Sequence, residues 1–163
     1  MAEAVVVPGA ALIRVDTGSA SALETVGYTR NGAEVIREGY FLDVPGDQNG
    51  GDDGPPIEIQ YLGEIARVRL ELTKWDSAIT AKFEQRLKGS VTVGTPATTG
   101  GLMFAGGFTY RLLIQTTLLI RNFTRAFPRA AFEINQGTKW AAFICEFECH
   151  KDGSGILFNT TTS

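Results

Sequence analysis

The chain has 163 residues, of which 44 % are apolar and 20 % charged, with a formal net charge of −3. That length suits one domain with a sizeable core. The acidic balance argues against a basic nucleic-acid clamp, and no apolar run is long enough to span a bilayer as a helix.

The N-terminal stretch MAEAVVVPGAAL has no basic region ahead of its apolar residues, so no signal peptide is expected. Val5–Val15 reads as a strand interrupted at Pro8-Gly9, with residues 1–16 forming an N-terminal arm and strand. Residues 17–24 read as a small-residue turn or linker, and Asn31-Gly32 is a hairpin-turn signal. Strands are expected over 34–44 and 57–73, with a kink at Gly63. Between them, residues 45–56 form a loop too polar to bury and too long for a tight turn. In the second strand Ala66, Val68, Leu70 and Leu72 alternate with Arg67, Arg69, Glu71 and Thr73, so one face packs and the other meets water.

One helix is predicted over 77–88. Asp76 is its N-cap, Ile79, Phe83 and Leu87 form its apolar stripe, and Gly89 is its C-terminal stop. A short strand follows at 90–93, then a glycine-rich loop over 95–107. That loop holds Leu102, Met103 and Phe104, which either tuck onto their own domain or dock on a neighbouring subunit. Residues 108–124 read as one long strand, and Pro128 as the end of the next connection. A strand over 138–150 places Phe143, Cys145, Phe147 and Cys149 on one face and Glu146, Glu148 and His150 on the other. The turn KDGSG and a short strand at 156–159 close the chain. About seven strands and one helix, without regular alternation, predict a mainly β fold. The expected form is an antiparallel β-sandwich or partial barrel in a single domain over 1–163.

No catalytic residues are evident, and the chain is not read as an enzyme. Its one histidine, His150, has no nucleophile elbow to serve. Cys149 and His150, as strand neighbours, point to opposite faces and cannot share a metal, so no metal site and no cofactor is expected. The acidic loop lacks the spacing of a calcium-binding loop. Cys145 and Cys149 are four residues apart, roughly 13 Å along a strand, too far to bridge each other. They read as buried free thiols, with an intersubunit disulfide as the alternative.

The order of elements resembles the tail tube proteins, or major tail proteins, of tailed bacteriophages. The likeness rests on a short N-terminal arm and the long hairpin EGYFLDVPGDQNGGDDGPPIEIQYLGEIARVRLEL. It also rests on the single helix WDSAITAKFEQRLKG and the closing pair FICEFECHKDGSGILFN. The resemblance spans roughly 11–159 and carries no catalytic signature. It implies a structural virion protein in which six subunits form a ring, rings stack into a hollow tube, and inner strands join into a continuous barrel around a channel for DNA ejection. The implied location is the virion tail, assembled in the host cytoplasm. The implied partners are further copies and other tail proteins (tape measure, terminator, sheath), with DNA passing transiently and no membrane contact.

Within that frame the hairpin loop contacts the adjacent ring through Pro45, Gly46, Asp47, Gln48, Asn49, Asp52, Asp53 and Pro55. Leu102, Met103 and Phe104 are candidates for contact with a neighbouring subunit. At least two of Glu71, Glu146 and Glu148 are expected to face the lumen, where a negative wall repels DNA phosphates. The alternative for these carboxylates is intersubunit salt bridging with Arg67, Arg69 or Arg121. Two other functions compete: a tube subunit of a bacterial contractile injection or secretion system, and a soluble β-sandwich binding module.

Overall fold

The computed structural model describes residues 10–16, 23–46, 54–88, 95–96, 99–104, 108–136 and 140–162. In chain order the elements are β1 (Ala11–Asp16), β2 (Glu24–Val44), β3 (Glu58–Trp75), α1 (Ser77–Gln85), β4 (Leu87–Lys88) and β5 (Thr95–Pro96). They continue with β6 (Tyr110–Gln115), β7 (Leu119–Gln136), β8 (Trp140–Cys149) and β9 (Asn159–Thr162). The fold is mainly β and antiparallel, as its alternating strands predict.

The large sheet runs β6-β1-β2-β3-β8-β7-β9, and an additional β6–β7 pairing joins its ends. Hydrogen bonds therefore pass through a closed ring of six strands, with β9 added on the flank of β7. The predicted alternation in β3 decides its orientation. Ala66, Val68, Leu70 and Leu72 are buried inside the ring, while Arg67, Arg69, Glu71 and Thr73 are exposed. Ile13, Val15, Leu112, Phe123, Phe143 and Phe147 complete this interior.

Helix α1 forms for the reasons its sequence suggests. The Asp76 carboxylate accepts from the Ala78 and Ile79 N–H groups, satisfying two donors that the helix start leaves open. Ile79 and Phe83 face the core, with Phe83 against Tyr110 and edge-on to Phe147. Lys82 is fully buried, and its Nζ donates to Glu24 at 3.1 Å, tying the helix to the start of β2.

Several sequence expectations need correction. The helix ends at Gln85, not Lys88, because Arg86 adopts the left-handed conformation at φ 50. The Arg86 guanidinium donates to the Pro128 and Arg129 carbonyls, which offsets the cost of that conformation for a non-glycine residue. Gly89 and the strand expected at 90–93 lie outside the described residues. Leu87–Lys88 pairs instead with Thr95–Pro96, so the loop expected over 95–107 begins as a strand.

Asn31-Gly32 does not turn the chain. It sits inside β2 as a bulge, with Gly32 at φ 78 and the pairing stepping from Thr29↔Leu72 to Ala33↔Leu70. A positive-φ glycine serves a bulge as well as a turn, and continuous pairing with β3 on both sides selects the bulge. The kink expected at Gly63 is present as a register shift between Tyr40 and Phe41.

The single strand expected at 108–124 is two, β6 and β7. They are turned at 116–118, where the Thr116 hydroxyl and the Leu119 backbone exchange hydrogen bonds. No glycine or proline marks this turn. Pro128 does not end a connection but lies within β7, at a register shift that spares its missing N–H. The last strand lies at Asn159–Thr162 rather than 156–159. The Asp152 carboxylate caps a turn through Ser154 and Ile156, and Leu157 is then drawn into the core. The N-terminal strand begins at Ala11, and residues 1–9 lie outside the described residues.

Candidate assembly surfaces

Beyond the ring, β2 and β3 continue as a two-stranded arm. From Glu38↔Ile65 to Val44↔Glu58 these strands pair only with each other, since β8 joins β3 only over Ala66–Leu72. A two-stranded ribbon has two open faces, so its apolar side chains stay exposed. Phe41 is 61 % exposed and Ile59 55 %, and Tyr40, Leu42, Ile57, Tyr61 and Leu62 are similarly open. Phe41 and Tyr61 lean together at 5.5 Å between ring centroids. Sequence reasoning placed contact residues in the loop and missed this ladder. The signal was present in YFLDV and IEIQYL, which place apolar residues on both strand faces.

Of the loop residues proposed for inter-ring contact, Pro45 and Pro55 are exposed at the arm's end and Gly46 is buried. A Cβ on Gly46 would stand 2.3 Å from Ile57 Cγ2, so any larger residue there would force the Ile57 side chain to shift. The Ile57 N–H donates to the Val44 carbonyl and closes the root of the loop. Asp47, Gln48, Asn49, Asp52 and Asp53 lie outside the described residues.

The second surface is the outward face of the sheet β2-β3-β8-β7. Register places Glu34 beside Arg69 and Arg69 beside Glu146, with Ile36, Arg67 and Glu148 in the next row. Arg67 also reaches Glu38 at 3.6 Å. Of the candidate lumen residues, Glu71 is exposed and Glu146 half-exposed on this face. Arg121, a suggested intersubunit salt-bridge partner, lies over the Phe158 ring of its own chain.

Glu148 is different. It is 8 % exposed and held by Arg129 and by His150 Nε2, the latter at 2.7 Å. Burial pushes its carboxyl pKa up, but hydrogen bonds from His150 and Arg129 and their charge outweigh burial and hold it below the ordinary 4.5. The carboxylate is thus engaged inside its own subunit. Arg129, the extra residue in the register shift after Pro128, reaches Glu148 across the β7–β8 pairing, and no spacing rule exposes that in the sequence.

The apolar trio of the second loop divides. Phe104 packs on its own subunit, edge-on to His150 at 4.7 Å and to Phe127 at 5.8 Å, with Arg125 over its ring. Met103 is half-buried, and Leu102 is left 72 % exposed. Cys145 and Cys149 are buried free thiols. Burial raises both thiol pKa values, that of Cys149 to about 12, so neither is a reactive thiolate at neutral pH.

The two open edges of this four-stranded sheet have matching polarity. Among the described residues, 30–44 of β2 pair only with β3, and 127–136 of β7 pair only with β8. Successive strands are antiparallel, so β2 and β7 run in opposite directions. In a rotationally related row of copies, the β7 edge of one would meet the β2 edge of the next in antiparallel orientation.

No protein-family model and no curated protein matches the sequence. Solved structures do. The chain is similar to a subunit in the tail of an empty gene transfer agent particle refined with helical C6 symmetry (TM-score 0.52, 12 % identity, 92 % of this chain and 94 % of that one). It is also similar to a chain in the native gene transfer agent virion (TM-score 0.50, 12 % identity, 93 % and 95 %). A third likeness is to a chain of the six-fold symmetrised anti-feeding prophage baseplate (TM-score 0.50, 11 % identity, 99 % and 97 %). At these identities it is the fold that is shared, over nearly the whole length of each chain.

Proposed function

We propose that this chain is the structural subunit of a phage-type tail tube: copies join edge to edge into six-membered rings, and the rings stack around a bore that conducts DNA into the host. The observation that carries the reading is the pair of open, polarity-matched edges on the β2-β3-β8-β7 sheet. Such edges aggregate without control unless a closed assembly covers them. The gene transfer agent tail, with its C6 symmetry, supports six as the number that closes the ring.

In this arrangement the outward sheet face lines the bore. Glu34, Glu38, Glu71, Glu146 and Glu148 share this face with Arg67, Arg69 and Arg129, and each of these arginines sits beside a carboxylate in register or in a salt bridge. A wall of this kind denies DNA the multiple cationic contacts that retain it. The exposed apolar arm packs on neighbouring copies, and its loop reaches the adjacent ring. No step of this work is catalytic, and the surfaces that matter are those that self-associate.

Negative-stain microscopy and sedimentation of the purified chain test the proposal. Six-fold rings or hollow tubes are expected. Introducing Phe41→Asp with Ile59→Asp on the arm should leave a folded subunit of unchanged melting temperature that no longer forms tubes. A wild-type chain that stays monomeric at high concentration would favour the binding-module reading instead.

A further inference from the structure

We infer that the recess at the base of the hairpin arm is the seat for the acidic loop of a second copy of the chain. The inference rests on the stacked-ring reading and names the two surfaces that meet between rings. The recess has a volume of about 300 Å³ and is lined in part by Tyr40, Leu62, Phe104, Arg125, His150 and Lys151. It lies where the arm leaves the ring, at Gly63.

The charge balance of this recess is unusual. Its acidic neighbours are already engaged. Glu64 takes both of its oxygens to Arg37, at 2.7 and 2.6 Å. Glu148 is held by Arg129 and His150. The cations Arg125 and Lys151, by contrast, have no carboxylate within ion-pair distance among the described residues. Arg125 lies 4.7 Å from the Phe104 ring centre and donates to the Lys151 carbonyl. Lys151 Nζ lies 4.8 Å from the Tyr61 ring centre and donates to its hydroxyl. Both charges are therefore fixed in place and half-buried, yet lack an anion among the described residues. Cations held this way on aromatic rings are preorganised for an incoming carboxylate.

The complementary segment is in the same chain. Between Asp43 and Glu58 there are five acidic residues, Asp43, Asp47, Asp52, Asp53 and Glu58, and no basic one. The arm separates the described ends of this segment from its own recess. The recess borders Tyr40, whereas the loop starts beyond Val44, about 13 Å farther along the ribbon. A stack of copies translated along one axis brings the tip of one arm toward the base of the next. That is a head-to-tail contact that repeats without limit.

Two measurements test the assignment. The first uses a synthetic peptide of residues 43–58 and the full-length chain, read by fluorescence anisotropy. Binding is expected at low salt. It should weaken at least tenfold when Lys151→Glu is combined with Arg125→Gln, and should vanish for a peptide carrying Asn in place of Asp47, Asp52 and Asp53. The second uses microscopy. Lys151→Glu should give rings that do not stack, with an unchanged melting temperature, and adding Asp52→Lys and Asp53→Lys should restore tubes. Peptide affinity that ignores the recess substitutions, or normal tubes from the Lys151→Glu, Arg125→Gln chain, overturns the inference. Peptide binding seen only with a chain lacking 47–53 assigns the recess to its own loop and also overturns it. A wild-type chain that forms no rings but binds the peptide sinks the ring reading and leaves the recess assignment standing.

Discussion

Phe83→Ala removes the side chain through which α1 is anchored. Phe83 is 1 % exposed, with its ring 5.7 Å from that of Tyr110 and 5.2 Å from that of Phe147. Truncating a fully buried phenylalanine costs about 3–5 kcal/mol, because lost transfer energy adds to that of the cavity left behind. In a chain of this size that corresponds to a fall in Tm of roughly 10 °C. The assay is urea unfolding followed by circular dichroism, under conditions that hold the subunit unassembled, with the midpoint expected to fall at unchanged slope. A double-mutant cycle with Phe147→Ala should show a coupling of about 0.5–1.5 kcal/mol for the edge-on pair. A loss below about 1 kcal/mol for Phe83→Ala would mean that the helix does not dock there, and would refute the packing argument.

Three further outcomes are expected. Glu148 has a depressed pKa, so its stabilising contribution is present above the ordinary carboxyl value and is lost as pH falls below about 4.5. Urea midpoints measured against pH should show this loss in the wild type, whereas Glu148→Gln should be flatter in acid and about 1 kcal/mol less stable at neutral pH. Deleting 47–53 should leave a folded subunit that makes no long tubes, scored by microscopy beside its melting curve. Glu71→Lys with Glu146→Lys should assemble but retain DNA in filter binding, releasing it as salt rises. Normal assembly without new DNA affinity would remove these two residues from the lumen.

The sequence by itself determined the class of the fold, the inner face of β3 and the start of α1. These depend on short-range physics. Alternation in Ala66–Leu72 dictates which side of a strand packs, and the Asp76 carboxylate satisfies helix N–H groups only two and three residues away. Tertiary structure decided the rest. Asn31-Gly32 became a bulge because β3 pairs on both sides of it, and the β6–β7 turn formed without glycine because the Thr116 hydroxyl closes it. The apolar arm is exposed only because β8 stops pairing at Ala66, a limit that no residue in the arm encodes. Glu148 and His150 share a strand face that alternation already gives, but Arg129 joins them only because β7 becomes the neighbour of β8. Contacts of that kind depend on which strands become neighbours, and periodicity within a single strand does not contain that information.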